Sequence, residues 1–370
     1  MLKYVAITGI AAAALCGCGQ SQSASSTTAA IAQPPTPATS RPAAGPACPS
    51  PAITPAAAQA PVTANPAAAG EVTASIPIKY APGSITSADG SLWVVAHRTN
   101  TVFRIDPTTN ATVASIAFDQ VAQIGPVSAG PHGLWFPATD GQAHRIDPAT
   151  NTVVQSVSVP EHDGGLIDTP SGLWLGVKGP TPAVVQVDPE SGKIVRTVAT
   201  GPSEHVLAMA AGSLWVLSLA DGSGRVDETS TRFQRIDPAT GAVIAEIALP
   251  GVPAGLSAGD DGVYVAMHDY SVARIDPASN CVAAVAFLGH TADPQAAPFS
   301  DPITISDQAG TLYLGFDRGA IAIADAHTLA VRTALRVDTQ DYQGDVVAAS
   351  GSLWFAGFST DTLYRLRVPA

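Results

Sequence analysis

The amino-acid sequence predicts an all-β protein, a seven-bladed β-propeller of four-stranded antiparallel blades, for residues 71–370. Three observations support this prediction. An aromatic strand motif occurs seven times with a period near 42 residues, which is typical of propeller blades. A second motif, built around Asp-Pro, follows the first six copies, and its aspartate lies 12–14 residues after the aromatic residue in five of them. Strong helix signals are absent throughout the repeats.

Each copy of the aromatic motif is a short apolar segment with a Trp or Tyr near its start. All five tryptophans of the chain fall in this motif, and two further copies carry tyrosine. The segments are rich in β-branched and aromatic residues, as a half-buried strand requires. They therefore predict the second strand of each blade. The seven aromatic positions are Trp93, Trp135, Trp174, Trp215, Tyr264, Tyr313 and Trp354.

The Asp-Pro motif is typical of a turn between the third and fourth strands. Its first copy is Arg104-Ile105-Asp106-Pro107-Thr108-Thr109-Asn110. The Asp side chain can cap backbone amides, Pro presets the next φ angle, and Asn or Gly accepts the left-handed conformation. We therefore predict that these aspartates are structural turn caps rather than a ring of reactive carboxylates.

The two ends of the repeat region complete one blade between them. The seventh copy contains an inner strand, 345–349, the Trp354 strand and a third strand, 362–368, before the chain stops, so it lacks only an outer strand. Residues 71–78 have the pattern to supply that strand from the N-terminal side. Such pairing closes the ring and removes exposed sheet edges. We therefore predict one domain over 71–370.

The N-terminal residues 1–17 form a predicted signal peptide, with Lys3 followed by an apolar stretch too short to stay in a membrane. The stretch ends in Leu15-Cys16-Gly17-Cys18, which resembles a bacterial lipobox and implies lipidation of Cys18. The alternative is an ordinary secretory signal cleaved nearby. The first interpretation predicts a bacterial cell-envelope protein, lipid-anchored and extracytoplasmic, at the outer membrane or the cell surface.

Residues 18–70 are predicted to be a disordered tether rich in Ala, Pro, Ser and Thr. The segment 19–70 has no acidic and no aromatic residue, so it cannot bury enough apolar area to offset its ordering entropy. It contains Cys48, and the repeat region contains Cys281. In an oxidising compartment these two cysteines could form a disulfide, with separate free thiols as the alternative.

The repeat region is strongly acidic. It carries all 30 Asp and Glu residues of the chain against 16 Lys and Arg residues. Nucleic-acid binders usually present a basic stripe, so we expect no nucleic-acid partner. No apolar run reaches the length of a membrane span. We expect a monomer that meets the membrane through its lipid anchor alone.

The segment Asn100-Thr101-Val102-Phe103-Arg104-Ile105-Asp106, with the aromatic strand before it, resembles the YVTN/YncE-like seven-bladed propellers of bacterial envelopes. The resemblance extends over 71–370. It implies the propeller fold and leaves the activity open, because one fold hosts many functions.

Candidate binding residues lie on the face that we call the top. It is formed by the loops between second and third strands and by the loops between blades; the turns on the opposite side form the bottom. Polar side chains in top loops could hold a ligand near the central channel. His162 and His205 are the candidates for a metal such as Zn²⁺ or Cu²⁺. The full set is His97, His162, Asp163, Glu204, His205, His268, Asp341 and Tyr342.

The sequence thus predicts a non-catalytic binding or scaffold module for an envelope protein or a small ligand, with no cofactor. The alternative is a metal-dependent protein. The Gly-Leu-Trp-Phe segments resemble streptogramin B lyase propellers, which implies a metal-dependent enzyme, and a metal-binding carrier is the related option. A third interpretation leaves the top-face histidines without any special role.

Overall fold

The computed structural model describes residues 48–54, 72–118, 124–178, 181–201, 204–219, 231–259, 262–269, 271–287, 302–316, 320–337 and 345–367. Within these ranges the chain forms 29 strands, joined by turns, and no helix. Accordingly, none of the described segments is a helix long and apolar enough to cross a membrane.

The strands form seven antiparallel sheets arranged as propeller blades, which confirms the predicted fold class. Two strands precede the first blade, β1 (Ala52–Thr54) and β2 (Val72–Pro77). Blade 1 contains β3 (Pro82–Ala88), β4 (Ser91–Ala96), β5 (Thr101–Asp106) and β6 (Ala111–Ala117). Blade 2 contains β7 (Ser128–Gly130), β8 (Gly133–Ala138), β9 (Gln142–Asp147) and β10 (Thr152–Ser158). Blade 3 contains β11 (His162–Thr169), β12 (Gly172–Val177), β13 (Ala183–Val187) and β14 (Ile194–Ala199).

The remaining four blades follow in chain order. Blade 4 contains β15 (His205–Ala210), β16 (Ser213–Ser218), β17 (Arg232–Ile236) and β18 (Val243–Glu246). Blade 5 contains β19 (Pro253–Gly259), β20 (Gly262–Met267), β21 (Ser271–Asp276) and β22 (Cys281–Phe287). Blade 6 contains β23 (Pro302–Gln308), β24 (Thr311–Phe316), β25 (Ala320–Asp325) and β26 (Val331–Arg336). Blade 7 contains β27 (Val346–Ala349), β28 (Ser352–Gly357), β29 (Thr362–Arg367) and the early strand β2.

Blade 7 closes the ring as the sequence predicts. The N-terminal strand β2 pairs antiparallel with β29, and Ser75 lies opposite Tyr364. The outer strand of this blade therefore comes from the start of the propeller and its other three strands come from the end. Each hydrogen bond between these two strands joins residues almost 300 positions apart, so the ends of the domain stabilise each other.

The motif tryptophans fill the space between neighbouring blades, and all five are fully buried. An arginine from the adjacent strand stacks on four of the rings. In blade 1 the Arg104 Cζ lies 5.2 Å from the centre of the Trp93 ring. Such a stack combines packing with the attraction of a cation to the ring face. The motif residues thus form one repeated packing unit.

Three of these arginines, Arg104, Arg235 and Arg365, connect their blade to the turn of the next one. Arg104 donates from Nε to Ser91 Oγ at 2.9 Å and from Nη1 to Asn151 Oδ1 of blade 2 at 3.0 Å. Arg365 of blade 7 donates in the same way to Asn110 Oδ1 of blade 1 at 3.1 Å. These contacts form part of the ring closure on the bottom of the propeller.

The aspartates of the Asp-Pro motif are turn caps, as predicted. Asp106 Oδ1 accepts a hydrogen bond from the Thr108 amide at 2.7 Å, and Asp147 Oδ1 accepts one from Ala149 at 2.9 Å. The turn then ends in a left-handed residue, such as Asn110 with φ 61°. The carboxylates of this motif therefore act within their own turns, as caps of local backbone amides.

Part of the predicted tether differs from the sequence-based expectation. Strand β1 pairs in parallel with β22, with Ala52 opposite Ala284, and so adds a fifth strand to blade 5. A disulfide joins Cys48 to Cys281 beside this pairing, with 5.5 Å between the two Cα atoms. The prediction of a wholly disordered segment 18–70 is therefore wrong for residues 48–54. The rest of that segment lies outside the described residues.

Candidate functional site

His97 is a packed group beneath the top surface. Its ring lies against Gly83, where an added Cβ would be 2.3 Å from the ring Cδ2, so only glycine fits there. Burial lowers the pKa of His97, and a hydrogen bond to the Ile124 backbone opposes this effect only in part. The imidazole is consequently neutral at pH 7 and is held between blade 1 and the following loop.

The two candidate metal ligands, His162 and His205, each begin the inner strand of a blade. His162 donates from Nε2 to the Ala138 carbonyl at 2.9 Å. His205 is only 4% exposed, and its Nε2 lies 2.6 Å from Thr200 Oγ1. The Nε2 atoms of both rings are therefore engaged by neighbouring protein groups.

The other predicted site residues do not gather around these histidines. Glu204 directly precedes β15 with an unusual φ of 131°, and His268 is exposed at the end of β20. The side chain of Asp163 lies outside the described part of the structure, as do both Asp341 and Tyr342. Within the described residues no three His, Cys, Asp or Glu side chains converge as a metal site would require.

A cationic and aromatic patch lies on the top face where blade 7 meets blade 1. Arg98 is exposed, and its Cζ lies 5.5 Å from the centre of the Phe358 ring. Lys79 and Tyr80 occupy the connection from β2 to β3 at the same junction, and Tyr80 is 50% exposed. No carboxylate among the described residues forms an ion pair with Lys79 or Arg98. We call these four residues the junction patch.

The backbone beneath the junction patch is held in a strained conformation. Tyr80 and Ala81 have φ angles of 76° and 61°, a left-handed pair that is costly for residues other than glycine. Asp361 stabilises this geometry, because its Oδ1 accepts from the Ala81 amide at 2.7 Å. Its carbonyl also accepts from the Ile78 amide at 2.8 Å. The connection is thus preorganised, and Tyr80 is presented at the surface.

A partly buried carboxyl group links the inner strands of the same two blades. Asp345 accepts from the Ile85 amide of blade 1 at 2.8 Å and from the Val346 amide at 2.9 Å. Burial raises the pKa of Asp345 to about 6, although both amide hydrogen bonds favour the ionised form. The junction of blades 7 and 1 therefore contains a group that titrates in mildly acidic solution.

We expect the contribution of Asp345 to stability to decrease between about pH 4 and pH 6. A carboxyl group whose pKa is raised by folding stabilises the folded state below its unfolded pKa, and this stabilisation is lost as pH rises through the folded pKa. A change from 3.8 to about 6, discounted for partial exposure, corresponds to about 2 kcal/mol. Urea unfolding of the wild type and of Asp345→Asn at pH 4.5 and 7 measures this pH-dependent contribution to the free energy of unfolding. The difference in unfolding free energy between these pH values should shrink in the variant; an unchanged difference would contradict the assignment.

A histidine–aspartate pair on the bottom was missed by the sequence analysis. His132, in the turn from β7 to β8, places its Nδ1 2.7 Å from Asp168 Oδ1, and its amide donates to Asp168 Oδ2 at 2.7 Å. The Asp168 side chain is fully buried, whereas that of His132 is 29% exposed. The pair joins blade 2 to blade 3 and fixes the tautomer of the ring.

The signal for this pair was the histidine in the turn Gly130-Pro131-His132-Gly133, because the equivalent turns of the other repeats have the same length but contain no histidine. The sequence analysis singled out no residue of these turns. The arrangement resembles an imidazole oriented by a carboxylate, but no hydroxyl or thiol of the described residues bonds to its Nε2. The pair thus forms a contact between blade 2 and blade 3.

Comparisons with known proteins support the fold alone. No family model and no curated protein matches the chain. Among solved structures the chain is similar to hydrazine synthase of Kuenenia stuttgartiensis, with a TM-score of 0.61 and 13% identity. The match covers 78% of this chain and 96% of that one. The narrower YVTN/YncE-like assignment remains a prediction, and the chain is shown to be a seven-bladed β-propeller.

Proposed function

We propose that the protein is a non-catalytic binding module of the bacterial envelope, a lipid-anchored YncE-like propeller that holds a partner protein or small ligand at its top face. The junction patch is the observation that carries this proposal. It presents two cations and two aromatic rings without a carboxylate partner among the described residues, on a protein of net charge −12. Arg and aromatic side chains are enriched in binding sites.

The structure beneath the patch favours binding because it is already ordered. A ligand that meets a fixed surface avoids the entropic cost of ordering the loops on which it binds. Asp361 and the left-handed pair Tyr80–Ala81 hold the patch in this way. The alternative is a metal-dependent enzyme or carrier. It has less support than the binding module, because the Nε2 atoms of His162 and His205 already contact protein groups.

The N-terminal region supports the location. Disulfides persist in oxidising compartments outside the cytoplasm, and the chain has one at Cys48–Cys281. The lipobox-like segment before Cys18 would add an acyl anchor, so the proposed module acts at a membrane surface without a spanning helix. We propose a monomer that does not bind nucleic acid.

Cross-linking of the full-length lipidated protein in its own envelope tests the proposal. In the patch variant Tyr80→Ala/Arg98→Ala, we expect the yield of a cross-linked partner or bound ligand to fall about tenfold, because anchors of this type typically contribute 1–2 kcal/mol or more. The matched control is Lys193→Ala/Ile194→Ala, which removes an exposed cation and an exposed apolar residue from the bottom of blade 3. Equal losses in both variants, or none in either, would reject the junction patch as the binding site.

A further inference from the structure

The strand β1 has few contacts of its own that could hold it on blade 5. Its pairing with β22 extends over three residues, from Ala52–Ala284 to Thr54–Ala286. Ala52 is exposed and Ile53 is 66% exposed, so little apolar surface is buried. Ordering each residue costs about 1–2 kcal/mol, whereas a hydrogen bond contributes a net 1 kcal/mol or so. The hydrogen bonds of the pairing therefore contribute no more free energy than the ordering of β1 costs.

The disulfide supplies the stabilisation that the pairing of β1 with β22 lacks. It joins Cys48, four residues before β1, to Cys281, the first residue of β22. The linked cysteines keep β1 at a high effective concentration beside its partner strand. Cys48 is exposed and Cys281 is 4% exposed, so a reductant can reach the bond from the Cys48 side.

We propose that Cys48–Cys281 and β1 form a redox-controlled strap. In the oxidised protein the strap covers the outer edge of blade 5. After reduction β1 leaves, and the β22 edge from Ala284 to Ala286 becomes exposed. The partner of the reaction is a dithiol reductant of the thioredoxin class.

The reaction is an ordinary thiol–disulfide exchange. A thiolate of the reductant attacks Cys48 Sγ, the bond to Cys281 breaks, and Cys281 leaves as a thiolate that takes up a proton. The second thiol of the reductant then displaces Cys48, which also ends as a thiol. Two electrons pass to the protein, and the reductant becomes a disulfide. The Ser279 carbonyl lies 3.5 Å from Cys281 Sγ and can accept the new S–H.

If Cys18 carries the lipid anchor, as the proposed function assumes, the strap also sets the reach of the tether. With the strap in place, 29 residues separate Cys18 from Cys48. After release, 53 residues separate Cys18 from β2. At about 3.4 Å per extended residue the maximum reach changes from roughly 100 Å to roughly 180 Å. Reduction would therefore let the propeller bind partners much farther from the membrane.

Hydrogen–deuterium exchange of the full chain tests the strap directly and does not depend on lipidation or on a partner. We expect amide exchange in residues 52–54, and in those amides of residues 284–286 that face β1 rather than β21, to rise about tenfold or more on treatment with dithiothreitol, and equally in Cys48→Ser. Exchange in β21, inside the same blade, should stay unchanged. The matched control is Ile53→Ala, whose exposed side chain should be dispensable while the disulfide is present.

Each outcome decides the proposal. Unchanged protection of residues 52–54 after reduction, or in Cys48→Ser, would show that β-pairing alone holds the strand and would overturn the strap. Faster exchange throughout blade 5 would show that the disulfide supports the whole blade, which also contradicts a local release. Cys281→Ser provides a second variant with the same expected pattern. The cross-linking result at the junction patch is independent, so the two proposals can fail separately.

Discussion

Replacing Trp215 by alanine should lower the free energy of unfolding by about 4 kcal/mol, which is typical for the loss of a fully buried large aromatic side chain. The Trp215 ring is completely buried and packs against Phe233, with 5.6 Å between ring centres. Its removal would leave a cavity between blades 4 and 5. It would also take away the ring face on which Arg235 stacks at 5.2 Å.

The loss should extend beyond the cavity, because Arg235 also connects two blades. Its Nε donates to Ser213 Oγ at 2.8 Å and its Nη1 donates to Asn280 Oδ1 of blade 5 at 2.8 Å. Without the indole the guanidinium loses its support and this connection weakens. Urea unfolding followed by circular dichroism measures the change. A loss below about 1 kcal/mol would contradict the packing role that we assign to the motif tryptophan.

A matched pair of phenylalanine variants separates packing from hydrogen bonding. Trp215 donates from Nε1 to the Ala210 carbonyl at 3.2 Å, whereas the buried Nε1 of Trp135 has no partner among the described residues. Trp215→Phe loses a hydrogen bond, while Trp135→Phe removes an unpaired donor. We therefore expect Trp215→Phe to be the more destabilising by about 1 kcal/mol.

Replacing Asp168 by alanine should lower the free energy of unfolding by about 3 kcal/mol, because the change leaves the Nδ1 and amide donors of His132 without their buried acceptor. The fully buried carboxylate accepts from both the Nδ1 and the amide of His132, at 2.7 Å each. Asp168→Asn keeps one acceptor oxygen and should lose about half as much. Both blades 2 and 3 depend on this contact.

The control for the second prediction is Asp140→Ala. Asp140 also pairs with a histidine, His144 at 3.1 Å, but its side chain is 27% exposed and both residues belong to blade 2. Exposed pairs of this kind typically contribute less than about 1 kcal/mol. Gly130→Ala provides an independent check, since its Cβ would lie 2.6 Å from Asp168 Cβ. Equal effects of Asp168→Ala and Asp140→Ala would refute the inter-blade role of the buried pair.

The sequence alone was sufficient for the blade count, the strand order and the closure of the ring. Each blade is specified by about 42 consecutive residues, and local strand and turn preferences act within that length. The Asp-Pro turns illustrate this, because Asp106 bonds amides only two and three residues away. Closure by β2 could be predicted because the last repeat visibly lacked a strand.

The candidate site was predicted less well, because a loop position does not determine how a side chain is buried. His205 was assigned to the top face from its position between blades, yet it is 4% exposed and bonds Thr200. The junction patch was missed because Arg98 and Phe358 are 260 positions apart and meet only when the ring is closed. The strand β1 was missed because its short, weakly strand-forming sequence is held by a covalent bond to a residue 233 positions away.

The sequence by itself thus determined the repeat, the blades and the turns, since these depend on residues that are neighbours in the chain. Only the tertiary structure decided which groups far apart in the chain meet: His132 with Asp168, the Asp345 carboxyl group with the Ile85 amide, and Cys48 with Cys281. The repeat pattern is nearly the same in every blade, so it contains no information on such individual pairs. They arise when seven similar sheets pack into one closed ring. A residue that differs from the repeat pattern then contacts one specific residue elsewhere in the chain.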